Sequence, residues 1–110
     1  MTIDGGGQPI TTGIKGYVTV PYACTIAGYS IQADQPGSIV LDIWKAAGVI
    51  PTVANSITAS AKPALSSAQL IQSTTLTGWT TNISANDVVG FNVDSASTIQ
   101  RVTLVLNCQK

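Results

Sequence analysis

Apolar and polar residues alternate along this chain with a period of two in several separate runs, and a helical period is almost absent, so the chain reads as mostly β. Ile14, Gly16, Val18 and Val20 alternate with Lys15, Tyr17 and Thr19, which predicts a strand that Pro21 ends. After Cys24, Ile26 keeps that parity, whereas Tyr29, Ile31 and Ala33 take the opposite one. A bulge at Gly28 accounts for the switch, because one extra residue re-aims every side chain beyond it. Asp34-Gln35-Pro36-Gly37 is composed like a tight turn. A strand over residues 38–44 follows, with Ile39, Leu41 and Ile43 on one face and Val40, Asp42 and Trp44 on the other.

From Lys45 to Lys62 the alternation fades, which predicts a long connection with one helical turn near residues 53–56. A strand over residues 69–76 is interrupted by Gly78-Trp79, and Ile83 is an inward anchor. Residues 84–87 read as a turn, 88–94 as a strand, 94–97 as the next turn and 99–108 as the last strand. The inward row of that last strand is Val102, Leu104, Leu106 and Cys108, and Phe91 belongs to the core pattern of the strand before it. Six to eight strands within 110 residues predict a single all-β domain over residues 1–110, an antiparallel β-sandwich of jelly-roll type. Gly5-Gly6-Gly7 marks residues 1–11 as a flexible or swapped N-terminal arm.

Composition narrows the chemistry. The chain has no His and no Glu, and its five Asp balance four Lys and one Arg, so the formal net charge is zero. Without His, the usual acid–base group at neutral pH is missing, and a Ser-His-Asp triad is ruled out. No spacing singles out a Ser-Lys dyad. Asp34, Asp87 and Asp94 sit at expected turns, where Asp serves the backbone. Asp42 lies mid-strand and is expected to be solvated or salt-bridged. Asn86, Asp87 and Asp94 are the nearest approach to a calcium loop and lack its carboxylate density. No catalytic residue, metal site or cofactor is therefore expected.

Lys15, Lys45, Lys62, Arg101 and Lys110 are scattered, which argues against nucleic-acid binding by counterion release. No run approaches 18 apolar residues and no signal-peptide pattern follows Met1. These features predict no membrane partner and synthesis in the cytoplasm. Cys24 and Cys108 lie too far apart for a CxxC chemistry and leave two readings, buried thiols or a disulfide. Tyr17, Trp44 and Trp79 are candidates for an interface or for stacking on a sugar, because they fall opposite the apolar rows or in a loop.

Several runs carry a resemblance. Residues 37–45 (GSIVLDIWK), 51–54 (PTVA), 57–58 (IT) and 61–63 (AKP), then 76–88 (LTGWTTNISANDV), 91–96 (FNVDSA) and 101–104 (RVTL), resemble a module of tailed-bacteriophage structural proteins. The likeness runs from about Ile3 onward. In that family the module is often the last domain of a longer tail protein, whereas a free-standing β domain resembles a capsid decoration or cement protein. The resemblance implies a virion protein without catalytic residues, acting as a dimer or trimer on phage coat or tail proteins. Its alternative is a receptor- or carbohydrate-binding module at a tail tip, with a host surface glycan as partner.

Overall fold

The computed structural model describes residues 1–110 as seven strands in one curled antiparallel sheet. In chain order these are β1 (Thr2–Asp4), β2 (Gly13–Val20), β3 (Cys24–Ala47), β4 (Ala64–Ser73), β5 (Asn82–Ile83), β6 (Asp87–Ser97) and β7 (Arg101–Gln109). The expected helical turn is present as a short 3₁₀ turn, Val53–Asn55, in the connection between β3 and β4. The Cα radius of gyration is 13.2 Å, matching the roughly 13 Å expected of one compact domain of this length.

A long ribbon organises the sheet. The first part of β3 pairs with β7, from Thr25↔Gln109 to Ala33↔Val102, and its second part pairs with β6, from Ser38↔Ser97 to Ala47↔Asp87. Strands β6 and β7 therefore follow one another along the same edge of β3. Strand β4 takes the other edge, β5 pairs with the start of β3, β2 flanks β6 and β1 flanks β7. The ribbon curls into a half-barrel around a core that includes Ile31, Ile39, Leu41, Ile43, Val89, Val93, Ile99, Val102 and Leu104. Burying each such side chain contributes about 1.5–3 kcal/mol.

Two expected turns are corrected. Residues 34–37 lie within β3, and the turn expected at 94–97 falls instead between β6 and β7, where Thr98 has φ +67°. The Asp34 carboxylate accepts the amides of Gln100 and Arg101 at 3.1 Å each, and Gln35 Nε2 donates to the Thr98 carbonyl at 2.6 Å. The polar side chains that look like a turn of their own thus serve a turn 63 or more residues away. Gly37 lies against that turn: a Cβ there would stand 2.7 Å from Ile99 Cγ1 and 2.9 Å from the Ser97 carbonyl oxygen. The expected bulge near Gly28 is present as a register shift between Ile26 and Gly28 in the β3–β7 pairing.

Residues 1–11 pack on their own chain, where a flexible or swapped arm was expected. Thr2 pairs with Thr103, Gly5 N–H donates to the Gln100 carbonyl at 2.7 Å, and buried Ile10 donates to the Ile99 carbonyl at 2.9 Å. Cys24 and Cys108 form a disulfide with Cα atoms 5.6 Å apart, tying the start of β3 to the end of β7. Of the two readings of these cysteines, the structure takes the disulfide.

Candidate interaction surface

The half-barrel is open along one side. Strand β1 covers the outer edge of β7 from Arg101 to Leu104, where Leu104 N–H donates to the Met1 carbonyl and the Met1 ammonium donates to the Leu104 carbonyl, both at 2.8 Å. Beyond Leu104 no strand pairs with that edge. Strand β2 lies at the end of the strand order, with its outer edge also unpaired. Between the two lies a groove of about 310 Å³ lined by eleven residues, all apolar or aromatic, among them Val18, Val20, Tyr22, Phe91, Val105 and Leu106. Val18 is 44% exposed and Val105 42%, so the wall of the groove is half open to water. An apolar groove beside unpaired strand edges makes this side the candidate interaction surface.

The carboxylate most nearly placed for chemistry is held otherwise. Of the two states expected for Asp42 the structure shows the salt-bridged one, and the residue is buried, because the connection after β3 folds back across it. Its Oδ1 accepts from Ile43 N–H at 2.8 Å and from the hydroxyls of Ser56 and Thr58 at 2.7 Å each. Its Oδ2 accepts from Trp44 Nε1 at 3.1 Å and lies 3.9 Å from Lys62 Nζ. Burial pushes the Asp42 carboxyl up, but the bonds from Ser56, Thr58, Trp44 and Ile43 outweigh it and hold the group below the usual carboxylate range. Lys62 is bound to the Asp94 carboxylate, which raises its ammonium above the ordinary lysine value. Asn92 also donates to Asp94, at 2.7 Å. The cluster fastens the connection to the sheet with every buried side-chain polar atom partnered.

The three aromatics singled out in the sequence are not brought together as one surface. Trp79 is buried, stacked on Tyr29 with ring centroids 5.6 Å apart and planes 5° from parallel, and its Nε1 donates to the Ala61 carbonyl at 2.8 Å. It is a core residue, so a contact role for its ring is corrected. Trp44 is half-buried and committed to Asp42. Tyr17 is exposed on β2. Asp87 accepts from Ser84 N–H at 2.8 Å and lies 3.7 Å from Lys45 Nζ, while Asp94 binds Lys62, so the residues nearest to a calcium loop are spent in separate ion pairs. No three thiol or carboxylate side chains gather as metal ligands. A second, polar depression of about 420 Å³ is lined by Tyr29, Ser30, Gln72, Ser73, Thr74 and Asn107.

Comparison with family models, curated proteins and solved structures finds no match in any of the three. Sequence reasoning placed Val18 and Val20 on an apolar row but missed that this row meets an opening, since period two reports a face and not what stands across from it. The nearest signal was the contrast between a short alternating segment at residues 1–4 and a long final strand that needs an outer neighbour.

Proposed function

We propose that this chain is a docking module, an accessory structural protein of a tailed-phage virion that decorates and stabilises the coat lattice. The observation that carries the docking reading is the half-open apolar groove between β2 and β7, beside edges with no partner strand. The virion assignment rests on the resemblance of residues 37–104 to phage structural modules. Zero net charge favours dense packing of copies by lowering their repulsion. The Cys24–Cys108 disulfide suits a protein that works outside a reducing cytosol, as a virion does after release from the host cytoplasm where it is made. In this reading the half-barrel is an incomplete jelly roll, and docking supplies the missing contacts as a dimer, as a trimer or on a coat subunit.

Mixing the purified protein with undecorated phage shells tests the proposal. Binding at a fixed stoichiometry and a rise in the shells' resistance to heat are expected. No binding at any concentration overturns it. The alternative reading, a glycan-binding module at a tail tip, draws on the polar depression beside Tyr29, whose hydroxyls and amides suit a sugar. Binding on a glycan array that is lost in Gln72→Ala would favour it over decoration.

A further inference from the structure

We propose that the groove is a strand-acceptor site, taking one extended, uncharged segment of a partner polypeptide that runs antiparallel to β7 and continues the line of β1. The inference deepens the docking reading above by naming what docks.

Backbone geometry sets the position. The N–H and C=O of Leu104 point away from β3, because both bond to Met1, the residue before β1. Backbone direction alternates along a strand, so the N–H and C=O of Leu106 point the same way, toward an edge that β1 does not reach. An incoming strand supplies the acceptor and donor these groups require. Four residues, Leu106 to Gln109, offer about 13 Å of edge at the rise of an extended strand.

Side chains set the composition. The Met1 side chain reaches across to β2, where a Cβ on Gly16 would collide with its Cε. Met1 thus closes the opening at Gly16, and the remaining wall, exposed Val18 and half-buried Val20 on β2 with half-buried Leu106 and Cys108 on β7, is only partly covered. A strand continuing β1 points every second side chain at that wall. None of the eleven lining side chains is charged, and the Met1 ammonium at the end of the groove is already bonded to the Leu104 carbonyl, so an apolar residue at each inward position fits, and a charged side chain there would be desolvated without a partner. A small apolar molecule would fill the groove and leave the Leu106 amide unpaired, whereas a strand satisfies both the edge and the wall.

The experiment is amide hydrogen exchange at Leu106, with a peptide of three Val-Thr repeats carrying a Gly-Lys-Lys tail for solubility. Saturating peptide is expected to slow Leu106 exchange at least tenfold and to leave the Leu104 amide, already bonded to Met1, nearly unchanged. Val18→Lys places a charge on an exposed position of the wall and is expected to abolish the protection, while Val49→Lys, exposed in the loop after β3, preserves it. Unchanged melting midpoints show that both variants fold. In the exchange experiment four results overturn the inference: no protection of Leu106 by the peptide; protection that survives Val18→Lys; equal protection by dodecanoate, which marks a small-ligand pocket; and protection that grows with protein concentration alone, which marks a second copy as the occupant. Shell binding that survives Val18→Lys also refutes strand acceptance yet leaves the decoration reading standing. Peptide protection without shell binding does the reverse.

Discussion

Removing the Asp42 carboxylate tests whether a buried charge fastens the β3–β4 connection to the sheet. In Asp42→Ala, four donors lose their acceptor: Ile43 N–H, Trp44 Nε1, Ser56 Oγ and Thr58 Oγ1. Ser56 is exposed and Trp44 half-buried, so both can turn to water at little cost. Thr58 and Ile43 are fully buried, and each orphaned donor there costs about 1–3 kcal/mol. A total of about 3–4 kcal/mol is expected, after some relief from removing a desolvated charge. Asp42→Asn keeps an oxygen for Ile43, Ser56 and Thr58 but sets an amide N–H₂ against Trp44 Nε1, so about 1–2 kcal/mol is expected. Thr58→Val removes one donor and leaves the carboxylate three, costing about 1 kcal/mol.

Urea unfolding followed by tryptophan fluorescence at pH 7 measures all three, with Trp44 reporting locally. The pH dependence adds a second arm. Because the folded Asp42 pKa lies below its unfolded value, the unfolded chain binds the proton first as pH falls. The stabilisation is therefore complete above about pH 4 and drains away as pH drops through the lower folded value. Asp4, held low by the Gly6 amide, and Asp34, held low by the Arg101 amide, act in the same direction, so Asp42→Asn should flatten the acid slope without removing it. An Asp42→Ala variant within 0.5 kcal/mol of the parent, or an acid slope unchanged in Asp42→Asn, would refute the network.

Three further outcomes are expected. Replacing both Cys24 and Cys108 with Ala should cost about 4 kcal/mol by urea unfolding, since the bond closes a loop across 84 residues; a loss under 1 kcal/mol would contradict the disulfide's role. Gly37→Ala should cost about 1–3 kcal/mol, because the added Cβ meets the Ser97 carbonyl and Ile99, and a neutral result would show that the corner between β3 and the β6–β7 turn is loosely packed. Trp79→Ala should cost about 3–5 kcal/mol and Tyr17→Ala under 0.5 kcal/mol, as expected for a core ring and a surface ring; calorimetry reversing that order would contradict the assignment.

What was legible in the sequence is local. The Ile39, Leu41 and Ile43 row, the inward Phe91 and Ile83, the bulge near Gly28 and the short helical turn after Thr52 all appear in the structure, whereas the Ile14–Val20 alternation holds only from Gly16 onward, because a register shift between Ile14 and Gly16 sets Ile14 beside Tyr17 over Gly90. Misplaced features involve partners distant in sequence. Asp34-Gln35-Pro36-Gly37 has the composition of a turn, but its Asp and Gln bond to residues 98–101, so the strand continues through a break in the β4 pairing between Gln32 and Gly37. Asp42 looked like a surface residue because strand parity puts it opposite the core; the connection carrying Ser56 and Thr58 buries that face, and nothing local announces the cover. Trp79 reads as a loop aromatic until Tyr29, fifty residues earlier, is seen stacked on it. The groove was hidden for the same reason, since it is defined by the stretch of β7 that β1 leaves uncovered.

The central claim is that the open side between β2 and β7 is the working surface. Hydroxyl-radical footprinting of the protein bound in its assembly, compared with the free protein, tests it most directly. Protection concentrated on Val18, Tyr22 and Val105, all exposed in the free chain, is the predicted result, with Val49, Val53 and Leu70 remaining reactive. Protection confined to Val49, Val53 or Leu70, with the groove still open to labelling, would contradict it.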